Sequence, residues 1–272
     1  MSGVYIGVDG KARKVKGGYI GIDGVARKIK KGYIGVDGVA RLCWSSVDPV
    51  FANNTWEEIA LACQTGNVPT SWEVGDQKTM TIDGTDYAID IIGKNHDDYA
   101  DGSGKAPLTF QVHEALIVAN HDNMHTGTTN TNGWETCEMR NIHVPYIKTL
   151  FPTNVQYALR KVKKSTSSGN ATTPTETIDD LFLLSEYEVF AYNKIAREDG
   201  GAQYEYYAEG GSGAEENTKA VKKDSSGNAV AWNLRSPTKG YPNQFCRVNS
   251  NGTRSTAVSS TSGYLTLLAF CF

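Results

Sequence analysis

Apolar and polar residues alternate in short runs along most of this chain, and the runs break at Asp-Gly, Asn-Gly or Ser-Pro. The first 44 residues carry one such unit three times. Tyr5-Ile6-Gly7-Val8-Asp9-Gly10-Lys11-Ala12-Arg13 recurs as Tyr19-Ile20-Gly21-Ile22-Asp23-Gly24-Val25-Ala26-Arg27, and again from Tyr33 to Arg41. Asp-Gly between alternating runs predicts a β-hairpin, because a type I′ turn needs positive φ at both central residues. One two-stranded hairpin is marginal in water, so each unit must stack on a neighbour, on the rest of the chain or on another chain. Residues 1–44 therefore read as a β-hairpin repeat segment.

Leu42 to Pro49 reads as a connection, with 45–49 as the linker and 50–272 as one compact domain. That domain opens with a helix. Thr55-Trp56-Glu57-Glu58 has the form of a capping box, Ile59, Leu61, Ala62 and Cys63 supply an apolar face, and Gly66 fits the position just past the end. Met80 to Ile82 and Tyr87 to Ile92 alternate around Asp83-Gly84 and predict a second kind of hairpin. Asn95 to Gly104 is a polar loop, followed by a predicted helix near Phe110 to Val118. Trp134 to Leu150 predicts a helix pair interrupted near Pro145, and Leu159 to Val162 a strand. The Ser/Thr/Gly/Asn tract from Ser165 to Thr177 predicts a solvent-exposed excursion. Leu181 to Ser185 predicts a strand, with Ser185 capping Glu186 to Phe190.

Glu198 to Gly227 reads as a long loop, in which Tyr204, Tyr206 and Tyr207 suit either recognition or the core. Trp232 to Pro237 predicts a buried strand that ends at Pro237, which cannot donate a ladder hydrogen bond. Trp232 is expected in the core and Arg235 paired near the strand end. Phe245 to Val248 and Leu265 to Phe272 return as further apolar runs. Helices mixed with hairpins give an α+β chain.

Charge narrows the partners. The net charge of −3 gives no bulk attraction to nucleic acid or to an anionic membrane. No apolar run reaches the roughly 18 to 20 residues of a membrane span. Met1-Ser2-Gly3-Val4 lacks the basic-then-apolar order of a signal peptide, which predicts synthesis in a cytoplasm. The repeats are locally basic (Lys11, Arg13, Lys14, Lys16, Arg27, Lys28, Lys30, Lys31 and Arg41) and opposed only by Asp9, Asp23 and Asp37. With one Tyr per repeat, this face reads as solvated or partner-docking rather than as a nucleic-acid site.

Candidate chemistry is sparse. The five cysteines form no C-x-x-C pair and no zinc spacing, and Cys246 and Cys271 sit in apolar runs as small hydrophobes. His113, His121 and His125 with Asp122 have partial metal spacing, but Asn120, Asn123 and Gly127 place them in a loop. The Asn95 to Gly104 loop lacks the ligand spacing of a calcium loop. There is no G-x-S-x-G and no Gly-rich phosphate loop. No catalytic residue, metal or cofactor is expected, and the chain reads as a non-enzyme.

Trp232-Asn233-Leu234-Arg235-Ser236-Pro237, Ile91-Ile92-Gly93, Gly133-Trp134…Met139-Arg140 and Leu181 to Phe190 together resemble a C-type-lectin-like domain family. The family occurs in phages and in surface proteins of Gram-positive gut bacteria, and is related to the formylglycine-generating-enzyme fold. The resemblance spans residues 50–272, and the Tyr-Ile-Gly-Val-Asp-Gly units look like repeats that head phage structural proteins. It implies an α+β, C-type-lectin-like domain behind an N-terminal β-hairpin repeat segment. It also implies a phage virion protein, made in the host bacterial cytoplasm, that binds a host-surface receptor or glycan. The alternative is a purely structural virion component such as a head-decoration, collar or baseplate protein.

Attachment to other virion proteins would run through Tyr5, Asp9, Tyr19, Asp23, Tyr33 and Asp37, in a homo-oligomer with a trimer favoured. Ligand contacts in the phage relatives come from loops near the C-terminus. The resemblance puts them here at Arg235, Tyr241, Asn243, Gln244, Asn249, Asn251 and Arg254. Three departures limit what transfers. Cys246 and Cys271 do not reproduce the reactive cysteine pair of formylglycine-generating enzymes, and the Glu-Pro-Asn signature of calcium-dependent lectins is missing. Where the diversified phage relatives carry Gly-Val-Arg-Pro, this chain has Gly263-Tyr264-Leu265-Thr266.

Overall fold

A computed structural model describes residues 5–8, 10–14, 18–29, 31–36, 38–116, 123–168, 173–196, 199–213, 215–259 and 265–272. Each repeat forms its own antiparallel hairpin. β1 (Tyr5–Val8) pairs with β2 (Lys11–Lys14), β3 (Gly18–Ile22) with β4 (Val25–Ile29), and β5 (Lys31–Val36) with β6 (Val39–Ser45). The register repeats with the sequence, so that Gly7, Gly21 and Gly35 stand opposite Ala12, Ala26 and Ala40. Asp23 at φ 51° and Gly24 at φ 76° give the turn its two left-handed residues. Tyr19, Ile20, Val25, Tyr33 and Ile34 stay exposed, because two strands have no second layer to cover them.

The chain divides into two compact units, residues 1–72 with Phe272 and residues 73–271. The division falls well past the expected linker, whose first residue, Ser45, is still in β6. In the first unit α1 (Trp56–Thr65) starts at the expected capping box. Thr55 Oγ1 accepts from the Glu58 N–H at 3.3 Å, and the Glu58 carboxylate accepts from the Thr55 N–H at 2.8 Å. The same carboxylate accepts from Ser45 Oγ at 2.9 Å and pairs with Lys31 Nζ at 3.2 Å. The helix start is thus bonded to the third hairpin. Edge-on contacts of Phe51 with Trp56 and Trp72, and of Trp56 with Phe272, make the aromatic core of this unit.

The second unit begins with β7 (Gln77–Ile82) and β8 (Thr85–Lys94), a hairpin turning at Asp83-Gly84 as the alternation predicts. β9 (Leu108–Val112) occupies the first part of the expected helix near Phe110 to Val118; residues 117–122 lie outside the described residues. A short apolar run has no period of its own, and pairing with strands on both sides decides it. α2 (Gly133–Thr136) and a π-helical turn at Met139–His143 lead into α3 (Val144–Leu150). Pro145 opens α3 rather than interrupting a helix, since its missing N–H is unneeded in a first turn. α4 (Thr153–Ala158) follows.

β10 (Val162–Thr166) and β11 (Thr175–Asp179) pair across what had read as a solvent excursion. Val162, Lys164 and Thr166 alternate inward there, and residues 169–172 between the strands lie outside the described residues. β12 (Leu181–Phe182) and α5 (Glu186–Phe190) follow, the helix started by the expected Ser185 cap, which Glu188 completes to a capping box. The expected long loop contains α6 (Glu205–Ala208), and Tyr204, Tyr206 and Tyr207 are buried, which settles them as core.

β13 (Lys222–Lys223) and β14 (Ala229–Val230) form a small ladder before β15 (Trp232–Pro237), β16 (Gln244–Val248), β17 (Arg254–Val258) and β18 (Ala269–Cys271). Two antiparallel sheets frame the unit. One runs β12-β18-β9-β8-β7 and the other is the meander β15-β16-β17. Ile89, Ile91, Phe110, Phe182 and Phe270 fill the first. Trp232 is wholly buried and donates from Nε1 to the Ala220 carbonyl at 2.9 Å, as its place in the core requires. Helices with antiparallel sheets make the chain α+β. Among the described residues no helix is long and apolar enough to cross a membrane.

Candidate functional site

The strand Trp232–Pro237 is buried at every position, so its Arg235 is not the displayed contact that the family resemblance implied. It is the paired residue that the strand reading expected. The guanidinium forks onto Glu188, NH1 to Oε2 at 2.5 Å and NH2 to Oε1 at 2.9 Å. Its Nε donates to Thr166 Oγ1 at 2.6 Å and NH1 also to the Leu183 carbonyl at 2.8 Å. A guanidinium with no exposed surface is tolerable only when its donors are met in this way.

The ion pair is part of a larger cluster. Lys164 Nζ contacts Glu188 Oε1 at 2.6 Å and Asp97 Oδ1 at 2.7 Å, and donates to Tyr204 Oη at 3.0 Å. Thr109 Oγ1 donates to Asp97 Oδ2 at 2.6 Å, and Tyr204 Oη donates to the same atom at 2.9 Å. Gly93 makes room, since a Cβ there would meet the Tyr204 ring at 2.9 Å. Burial alone would push Glu188 and Asp97 upward. Arg235 and Lys164 outweigh it for Glu188, Lys164 does so for Asp97, and both carboxyls lie below their usual range. Burial alone would lower Lys164, but Asp97 and Glu188 hold it above its usual value.

Two neighbouring carboxyls go the other way. Burial raises Glu186, which accepts from the Ala196 N–H at 2.7 Å, and Asp199, which accepts from Ser236 Oγ and from the Ser167 N–H.

The remaining expected ligand contacts do not converge. Tyr241 and Asn243 lie in the connection from β15 to β16, with Gln244 the first residue of β16; Asn249 and Asn251 lie in the turn from β16 to β17. A meander puts these connections at opposite ends of a five-residue strand, about 16 Å apart at roughly 3.3 Å per residue. At the second end Arg254 is buried, stacked 4.6 Å over the Phe190 ring and 3.7 Å from Glu186 Oε1, so it too is packing rather than display. Asn249 Nδ2 donates to Thr253 Oγ1, and Asn251 Oδ1 accepts from Thr253, which ties both side chains to the turn itself.

The first end is different. Tyr241 is 58% exposed, yet the backbone beneath it is held. Buried Asn130 donates from Nδ2 to the Tyr241 and Gln244 carbonyls, each at 2.8 Å, and its own N–H donates to the Pro242 carbonyl at 2.7 Å. The Asn243 carbonyl accepts from the Ser259 N–H at 2.8 Å, and Ser259 Oγ in turn accepts from the Thr129 N–H at 2.8 Å. Asn243 and Gln244 are half-buried beside the exposed ring. An aromatic on a braced turn is the arrangement that binds at least entropic cost.

In the repeats, Tyr19 and Tyr33 are exposed, Asp23 sits in its turn and Tyr5 heads β1; Asp9 and Asp37 lie outside the described residues. His113 Nδ1 is 2.6 Å from Asp90 Oδ2 and His125 Nδ1 is 3.5 Å from Glu138 Oε1, so each has its own carboxylate. His121, Asp122, Gly263 and Tyr264 lie outside the described residues. Among the described residues no three His, Cys, Asp or Glu side chains are placed to hold a metal. Burial raises the thiols of Cys63 and Cys137 to about 12 and those of Cys246 and Cys271 well above their ordinary value, as small buried hydrophobes require.

Sequence reading missed Asp97, Lys164 and Asn130. Lys164 carried one usable signal, its place two residues after Val162 on the inward face of β10. Asn130 carried none, since its partners are 111 and 114 residues away.

No curated protein and no solved structure matches the chain. A family profile does, over residues 111–266, which takes in Asn130, Lys164, Glu188, Arg235 and the Tyr241 turn. With more than half of its length matched, the chain belongs to the DUF6273 family, a domain of unknown function.

Proposed function

We propose that this chain is a non-enzymatic phage virion protein whose C-type-lectin-like domain binds a glycan or protein on the host surface. The observation that carries the reading is the Tyr241 turn, an exposed aromatic ring over a backbone fixed by buried Asn130. Asn243 and Gln244 add amide donors and acceptors at the same end of the meander. The N-terminal repeats serve as the attachment element to other virion proteins, in a homo-oligomer such as a trimer. The exposed Tyr19, Ile20, Val25, Tyr33 and Ile34 support that role, since an uncovered apolar surface on a hairpin gains from a partner.

The test is adsorption. Particles carrying Tyr241→Ala together with Asn243→Ala should assemble normally and adsorb to host cells at least about tenfold less, the equivalent of about 1.4 kcal/mol. Unchanged adsorption by such particles would shift the reading to a purely structural virion component, whose domain contacts other virion proteins.

A further inference from the structure

The second unit holds a cavity of about 260 Å³ whose floor is the Lys164 cluster and which is remote in sequence from the Tyr241 turn. We propose that this cavity binds one neutral polyhydroxylated ring, a single sugar unit. The inference goes beyond the Tyr241 surface and rests on the recognition reading only for the source of the sugar.

Charge comes first. On the floor, Lys164 is matched by Asp97 and Glu188 at 2.7 and 2.6 Å. At the rim, Lys105 pairs with Asp98 at 3.2 Å and Lys163 with Glu176 at 3.3 Å. Every ammonium and carboxylate lining the cavity thus has an opposite charge beside it. An ionic ligand would have to break a pair to gain one, which a neutral ligand need not do.

Open hydrogen-bonding groups come next. The His96 ring stacks on Tyr204, with centroids 3.9 Å apart and 24° between planes. Burial lowers its pKa, so at neutral pH it presents one N–H donor and one bare nitrogen. Neither nitrogen bonds another described residue. The third wall is Gly200-Gly201-Ala202, a stretch almost without side chains. Among the described residues, none of its three N–H and three C=O groups has a partner. Gly201, at φ 102°, turns the strip beside the floor, where an added Cβ would stand 3.9 Å from Glu188 Oε1.

Donors and acceptors therefore both line a small space, and the rim ions keep spare protons and lone pairs. Hydroxyl groups, which donate and accept at once, are the ligand chemistry that fits such a mixture. The size sets the number of rings at one, since drug-sized ligands take pockets of about 300 to 1,000 Å³.

The test uses the full chain and saturation-transfer NMR with glucose, galactose, mannose and N-acetylglucosamine, each at about 10 mM. At least one sugar should receive transfer, with a Kd of about 1 mM or tighter. Ala202→Trp, which fills the cavity from the wall, should abolish it, and His96→Ala should weaken it at least about tenfold. Tyr157→Ala, at an 87% exposed ring outside the cavity, should leave it unchanged. If Ala202→Trp does not fold, His96→Ala decides the matter.

Transfer to none of the four sugars, or transfer undiminished in folded Ala202→Trp or His96→Ala protein, overturns the inference. Adsorption that depends on Tyr241 while no sugar binds overturns the cavity proposal and leaves the recognition reading in place. A sugar bound in the cavity with adsorption indifferent to Tyr241 supports the proposal and overturns that reading.

Discussion

The repeat hairpins and the β15–β17 meander are both antiparallel ribbons joined by tight turns, yet they are held by different forces. In the hairpins the turns are fixed locally, although the third is also bonded to α1 through Glu58. Asp23-Gly24 sets the turn, and the side chains of Tyr19, Ile20 and Val25 remain in water. In the meander nearly every fixed element is distant. Arg235 answers to Glu188, Thr166 and Leu183, and the Tyr241 turn answers to Asn130. A ribbon stabilised by its turn can be read from nine residues, whereas a ribbon stabilised by buried charge cannot. The same contrast separates the roles proposed for them, since the hairpins offer uncovered surface and the meander offers a rigid edge.

The largest effect should come from Glu188, which faces both buried cations. Glu188→Ala leaves Lys164 and Arg235 without their shared carboxylate and should cost roughly 3–5 kcal/mol, read by urea unfolding. A loss below about 1 kcal/mol, the scale of a surface pair, would remove the distinction drawn between the two ribbons.

Acid should expose the same cluster. Glu188 and Asp97 titrate below their usual range in the folded chain, so their stabilisation is complete above the unfolded value of about 4 and is lost as pH falls through the folded values. Glu186 and Asp199 are raised, so their contribution is complete below about 4 and is lost as pH rises through their folded values. The melting temperature should therefore hold or climb slightly from pH 7 to about 5 and drop below about 4. In Glu188→Gln the acid drop should be shallower; an acid limb identical to wild type would locate it elsewhere.

Asn130→Ala comes next in size. It leaves the Tyr241 and Gln244 carbonyls with only their backbone donors, the Gln244 and Thr238 N–H groups, and should cost about 0.5–1.5 kcal/mol. Amide exchange should accelerate first around residues 238–244, and adsorption should fall with it. Wild-type exchange in that stretch would mean the turn is braced by something other than Asn130.

The smallest effect on stability belongs to the repeats. Tyr19→Ala with Tyr33→Ala should stay within about 0.5 kcal/mol of wild type, as exposed positions do, while incorporation into particles falls. A larger loss of stability would mean these rings are covered within the chain's own assembly rather than by a virion partner.

Periodicity and turn chemistry were enough for much of the fold. They located the repeat hairpins, the Thr55 capping box, the Ser185 cap, the hairpin around Asp83-Gly84 and the strands at Trp232 and Phe245. Each depends on residues within about ten positions of one another, where φ preference and alternation act directly. They failed where the partner was far along the chain. Residues 110–112 read as the start of a helix until strands on both sides claimed them, and the tract from Ser165 read as solvent until its ends paired as β10 and β11.

The candidate site divides in the same way. Tyr241 and Asn243 were legible as polar loop residues, while Gln244 proved to be the first residue of β16. The buried strand at Trp232 also put Arg235 in a pair, whereas the interior place of Arg254, and the position of Asn249 and Asn251 at the far end of the meander, were not legible. By itself the sequence determined the turns, caps and strand edges, because those are settled by neighbours within a few residues. Which charges are buried, which amides brace a turn and where a cavity opens was decided only by tertiary structure. Desolvation and pairing act through space, and a chain position carries no record of them.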